Sequence, residues 1–195
     1  MESHVSSQTL QNATLDLLKR RGVDVREIAD ITLFLQKSYI PGLTQDQCLE
    51  SVMHVLGKRE VQNALLTGIE LDILAENERL SEPLQRIVSA DDSLYGVDEI
   101  LALSILNIYG SIGYTNYGYV DKLKYGVLAR LNDHTSSRVH TFLDDLAGAV
   151  AAAAASRLAH RNRNEMEADN FATAPRTRNG TDEQREGVQR VPGGD

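Results

Sequence analysis

Three groups of acidic residues stand in apolar sequence where a solvated helix face would not put them: Asp98-Glu99, Asp121 and Asp144-Asp145. A carboxylate inside a protein keeps its charge only when it is paired, hydrogen-bonded or bound to a metal, so these five side chains are candidates for chemistry. Adjacent helical residues point about 100° apart, and each pair therefore predicts one ligand with one supporting or capping group. Asp98-Glu99 opens an apolar run and has a second explanation, the favourable placement of acids at a helix N-terminus. Asp144-Asp145, between Phe142-Leu143 and Leu146-Ala147, reads as mid-helix, where capping is not available, and is the stronger signal.

Oxygen ligands, in a chain with a single cysteine and five histidines, select Mg2+ or Mn2+ over Zn2+. One or two such ions would bridge carboxylates to phosphate, which points to a phosphorylated substrate. Lys122 and Lys124 follow Asp121 closely enough to neutralise phosphate oxygens across the same site. Glu60, Asn63, Thr67 and Glu70, spaced three, four and three, form one helix stripe. The first three are candidates for substrate contact, and a solvated face is the other reading. Among the histidines, His140 alone has the helical spacing to share a face with an acidic station, through Asp144. The glycine patterns of dinucleotide and P-loop sites are missing, as is the G-x-S-x-G elbow, so metal-activated water is a better nucleophile than a serine or Cys48.

The elements that must position these residues are helical. With 5% aromatics and no tryptophan in 195 residues, the core has to be aliphatic, which favours helix on helix packing. Apolar spacing predicts helices over 10–18 and 28–39, the second stopped by Pro41-Gly42, and another opened by a Thr44/Gln47 capping box and interrupted at Gly57. Further helices are predicted over 61–76, from Ser81-Glu82-Pro83, over 97–108 (buried on most sides) and over 138–160, whose alanines make a thin face for close helix contact. Residues 109–126, rich in Tyr and Gly, keep no period and read as an irregular or short-helix connection. The expected organisation is a frayed start over 1–8, one compact all-α domain over 9–160, and a disordered polar tail over 161–195.

A net charge of −8 disfavours nucleic acid as a partner. One cysteine excludes an intramolecular disulfide, the first ten residues lack the pattern of a signal peptide, and the longest uncharged apolar run, 146–156, is about half of the roughly 20 residues a bilayer requires. A cytoplasmic protein with no transmembrane segment is expected.

The three acidic stations, VDEILALSI (97–105), GYVDKLKYG (118–126) and VHTFLDDLAGAVAAA (139–153), together resemble the phosphatidylglycerophosphatase A family in order and spacing. With KREVQNALLTGIELDILAE (58–76), the resemblance spans about 57–159 and is greatest to a soluble Gram-positive branch, some of whose members are labelled low-temperature requirement proteins. It implies an all-α, Mg2+-dependent phosphatase that converts phosphatidylglycerophosphate into phosphatidylglycerol and phosphate. The family's W-D-E station falls on Asp98 and Glu99, its D-x-x-K-P station on Asp121 and Lys124, and its D-D-x-x-A-G station on Asp144, Asp145 and Gly148. Val97 stands in place of the aromatic, Tyr125 in place of the proline, and the membrane-spanning helices of the other branch are missing. Such an enzyme would meet its lipid as a peripheral protein at the inner face of the cell membrane, with Lys58, Arg59, Lys122, Lys124 and Arg157 offsetting the acidic charge. Alternatives are a phosphatase or pyrophosphohydrolase of a soluble metabolite, and a noncatalytic helical scaffold that forms a homo-oligomer through the Ala-rich helix.

Overall fold

Capping decides where the first helices begin. The structure, a computed structural model, describes residues 5–133, 135 and 137–173, with side chains through Glu167. Ser6 accepts from the Thr9 N–H and opens α1 (Ser7–Arg20). Asp24 with Glu27 opens α2 (Val25–Gln36), and Thr44 with Gln47 opens α3 (Gln45–Leu56), both as complete capping boxes. Gly57 ends α3, and α4 (Arg59–Glu76) follows. Then come α5 (Leu84–Ser89), α6 (Val97–Leu106), α7 (Gly110–Leu123), α8 (Val127–Leu131) and α9 (Leu143–Thr173). No strand occurs among the described residues, and the fold is all-α.

Helix α9 runs through the middle, packed against α2, α3, α4, α6, α7 and α8. Its alanines let six neighbours approach closely, and Ala147, Ala149 and residues 151–155 are completely buried. The small-residue face is therefore consumed inside the domain and offers nothing to a second copy. Buried hydroxyls pin the helix along its length: Thr32 donates to the Ala151 carbonyl, Ser51 to that of Ala154, and Ser156 to that of Tyr109. The α4 contact includes a close approach at a glycine. A Cβ on Gly68 would lie 2.5 Å from Leu146 Cδ1 and 3.0 Å from Phe142 Cβ, so only glycine lets the two helices meet there without a shift.

Four expectations need correction. The 109–126 segment is mostly helix, because α7 packs along α9 and tertiary contact overrides its weak local preference. Helix α6 ends at Leu106 and buries one side only, with Val97 and Ile100 exposed. Helix α9 starts at Leu143, five residues later than the spacing suggests, and continues past His160 to Thr173. Ser7 is already helical. Residues 1–4 of the expected frayed start and 174–195 of the expected tail lie outside the described residues. No helix among those described is long and apolar enough to cross a membrane.

Candidate functional site

The late start of α9 has an identifiable cause. Asp72, fully buried on α4, accepts the Phe142 N–H and the Leu143 N–H, one on each carboxylate oxygen, both at 3.0 Å. These are the orphan donors of the new helix, and their capture fixes its first turn. The approach to that turn is held as well: Glu76 accepts from Arg21 at 2.8 Å and from the Val139 N–H at 3.2 Å, while Arg21 donates to the Val139 carbonyl at 2.6 Å. Asp144 and Asp145 thus lie in the first turn of α9 and not in mid-helix, as the sequence suggests, so both acidic pairs stand at helix N-termini. Gly96 sets up the other pair. Its φ of +68° is open to glycine at little cost, and it turns the chain so that Asp98 enters the interior while Glu99 stays exposed.

The stations converge. Asp98, Glu99, Asp121, Lys124, Asp144 and Asp145 line one cleft of about 230 Å³ with Asp91, Asp92, Ser93 and Thr141. Asp98, Glu99 and Asp145 bring one carboxylate oxygen each within 4.8 Å of one another, a spacing suited to a shared cation. Lys124 sits beside them: its Nζ is 2.6 Å from Asp121 Oδ1, 2.8 Å from Asp144 Oδ2 and 3.9 Å from Asp145 Oδ1. Burial alone would lower the Lys124 ammonium, but Asp144 and Asp121 outweigh it and hold the group above its ordinary range, hence charged. Burial raises Asp145, and neighbouring Asp144 raises it further. Asp98 is raised by burial and by Glu99. Asp144 is raised by burial against the pull of Lys124. The cleft therefore gathers more carboxylates than one lysine can balance, so without a further cation Asp98 and Asp145 tend to keep protons that a bound cation would displace.

Tyr117, one turn before Asp121 on α7, was not singled out by the sequence. Its ring lies along Gly148, with Cε2 3.7 Å from the place of a Cβ there, and its buried hydroxyl lies toward Asp145 without a well-formed hydrogen bond. Burial, then Asp145 and Asp121, push that phenol far above its usual range, so the O–H is a fixed donor close to the carboxylates. Tyr125, standing where the family has proline, stacks on Phe34 of α2 at 4.1 Å between centroids and so fixes the chain immediately after Lys124 by other means.

Other predicted residues fall elsewhere. Lys122 is exposed on α7 outside the cleft lining, and Glu60, Asn63 and Thr67 lie on the exposed face of α4 and do not line it either. The basic set proposed for a membrane surface is also dispersed: Arg59 donates to the Val5 carbonyl, and Arg157 lies twelve residues along α9 from Asp145, about 18 Å away. His140 hydrogen-bonds Arg21 instead of Asp144, and burial together with Arg21 lowers it to about 4. His134 lies outside the described residues. Asp72 itself was overlooked, although its place on the Leu65, Ile69, Asp72 stripe of α4 interrupts an apolar period and was a usable signal.

The family model for phosphatidylglycerophosphatase A matches residues 22–160, including every residue of the cleft. The chain belongs to the phosphatidylglycerophosphatase A family. It is 64% identical to the uncharacterized protein YutG of Bacillus subtilis over 146 residues, covering 75% of this chain and 88% of that one. Among solved structures, the low temperature requirement C protein from Listeria monocytogenes aligns with a TM-score of 0.79 at 60% identity, covering 81% of this chain and 99% of that one. Protein ypjQ from Bacillus subtilis aligns with a TM-score of 0.79 at 48% identity, covering 83% and 99%. Membership of the phosphatidylglycerophosphatase A family thus holds for a chain with no membrane-crossing helix among its described residues, as expected for the branch it resembles.

Proposed function

We propose that the protein is a divalent-cation-dependent phosphoric monoester hydrolase that removes the terminal phosphate of phosphatidylglycerophosphate, working as a peripheral protein at the inner membrane face. The observation that carries this reading is the convergence of Asp98, Glu99 and Asp145 within 4.8 Å beside Lys124, in a chain of this family. The donor set fits Mg2+ or Mn2+: three carboxylates, no sulfur or imidazole, and a neighbouring phenol O–H without a well-formed hydrogen bond. Asp98, Glu99 and Asp145 would hold the ion, which supplies Lewis-acid polarisation of a phosphoryl oxygen and a more acidic bound water.

The chain's own residues do the rest. Lys124 presents an ammonium anchored by Asp121 and Asp144, so a third N–H remains for a phosphoryl oxygen as negative charge builds on it. Asp72 and the Arg21–Glu76 pair keep the first turn of α9 in place, and with it the carboxylates that turn carries. The test is phosphate release from phosphatidylglycerophosphate in mixed micelles with and without Mg2+, for wild type and Asp145→Asn. Mg2+-dependent release that the variant lacks is expected. Release from soluble phosphomonoesters but not from the lipid would move the substrate to that class, and no release from any substrate would overturn the enzyme reading.

A further inference from the structure

We propose that the Lys124 ammonium is a built-in second cation of this cleft, so that the site takes one divalent ion and not two. The proposal rests on the phosphatase reading of the same cleft and assigns its charges. The carboxylates divide into two sets. Asp121 and Asp144 share the Lys124 ammonium at 2.6 and 2.8 Å, whereas Asp98, Glu99 and Asp145 face one another within 4.8 Å and meet that ammonium only at the 3.9 Å of Asp145. The first set already has its cation, covalently attached. The second set, with the buried Tyr117 hydroxyl close to Asp145 and without a well-formed hydrogen bond, is the one left to bind an ion.

The backbone indicates that Lys124 is held where it is. It closes α7 in the left-handed region at φ +47°, uncommon for a side chain of this kind, with its N–H on the Val120 carbonyl at 2.8 Å. The next residue is clamped by the Tyr125–Phe34 stack. A lysine so placed cannot move far without undoing the helix end, and an ammonium between two carboxylates does the charge-balancing work of a metal ion without dissociating. Two-metal phosphoryl sites place their ions about 3.5–4 Å apart. Lys124 keeps one of the two positions filled.

The experiment is Mn2+ titration calorimetry on the full chain for wild type, Lys124→Met, Lys124→Arg and the Lys124→Met/Asp121→Asn double variant, with cooperative melting confirmed for each. Wild type and Lys124→Arg should bind one Mn2+ per chain, Lys124→Met two, and the double variant one again. Two ions in wild type, or one in a folded Lys124→Met, overturns the proposal while leaving the phosphatase reading intact. No Mn2+ bound by wild type overturns both. If Lys124→Met fails to fold, the wild-type and Lys124→Arg stoichiometries still decide, because two ions in either contradicts a built-in cation.

Discussion

Asp72 and Asp145 are both buried carboxylates at the start of α9, one reaching it from α4 and one carried by its first turn, yet they occupy opposite situations. Asp72 has both oxygens satisfied by backbone N–H groups, and burial outweighs the downward pull of those two donors to leave it raised at about 8. Asp145 has an ammonium at 3.9 Å, an acidic neighbour and a phenol that approaches it without completing a well-formed hydrogen bond. Burial therefore does not distinguish a structural acid from a functional one. What distinguishes them is whether the protein itself completes the hydrogen bonding and charge, and where it does not, a ligand is the missing partner.

The largest expected effect follows from that difference. Asp145→Asn should lower Mg2+-dependent phosphate release at least about a hundredfold while raising or preserving the melting temperature of the metal-free protein, since a neutral amide replaces a carboxyl whose ionisation burial and Asp144 oppose. Next, Asp72→Ala should cost about 3 kcal/mol by orphaning two buried N–H groups, read as a drop in the denaturation midpoint, with Asp72→Asn costing less because one oxygen still accepts. Gly68→Ala should cost about 1–3 kcal/mol by pushing α4 from α9, and should do so equally with or without Mg2+.

Smaller effects sharpen the contrast. In the metal-free protein the raised Asp145 and Asp98 hold protons that the unfolded chain has released, so stability should fall as pH rises above about 4, and Asp145→Asn should flatten that slope. Taking the difference between wild type and variant removes His140, whose depression to about 4 tilts the range up to 6.5 in the opposite direction. Last, Tyr117→Phe should leave the melting temperature unchanged or slightly raised, because its hydroxyl has no well-formed hydrogen bond to lose, yet weaken Mn2+ binding by about tenfold if that O–H orients Asp145 in the loaded site.

Much of this was legible in sequence because it is local. The Thr44/Gln47 box, the stop at Gly57 and the apolar periods of α1 to α4 depend on residues within a few positions of one another. Asp98, Asp121, Lys124 and Asp145 were visible as charges interrupting apolar runs, and they do come together in one cleft. The exposed stripe of Glu60, Asn63 and Thr67 shows the limit of that signal, since a polar face is the ordinary consequence of amphipathicity. What escaped is non-local. The α7 helix is sustained by α9 against its own glycines, and the start of α9 is dictated by Asp72, seventy residues before the N–H groups it accepts. Neither can be read from a window of neighbouring residues.

The contrast between the two acids is tested most directly by melting wild type, Asp72→Asn and Asp145→Asn with and without millimolar Mg2+. Wild type should be stabilised by Mg2+, Asp72→Asn should melt lower yet keep that Mg2+ response, and Asp145→Asn should melt no lower than metal-free wild type and ignore Mg2+. A wild type indifferent to Mg2+, with Asp145→Asn as destabilised as Asp72→Asn, would contradict the account and make the acidic cleft part of the scaffold.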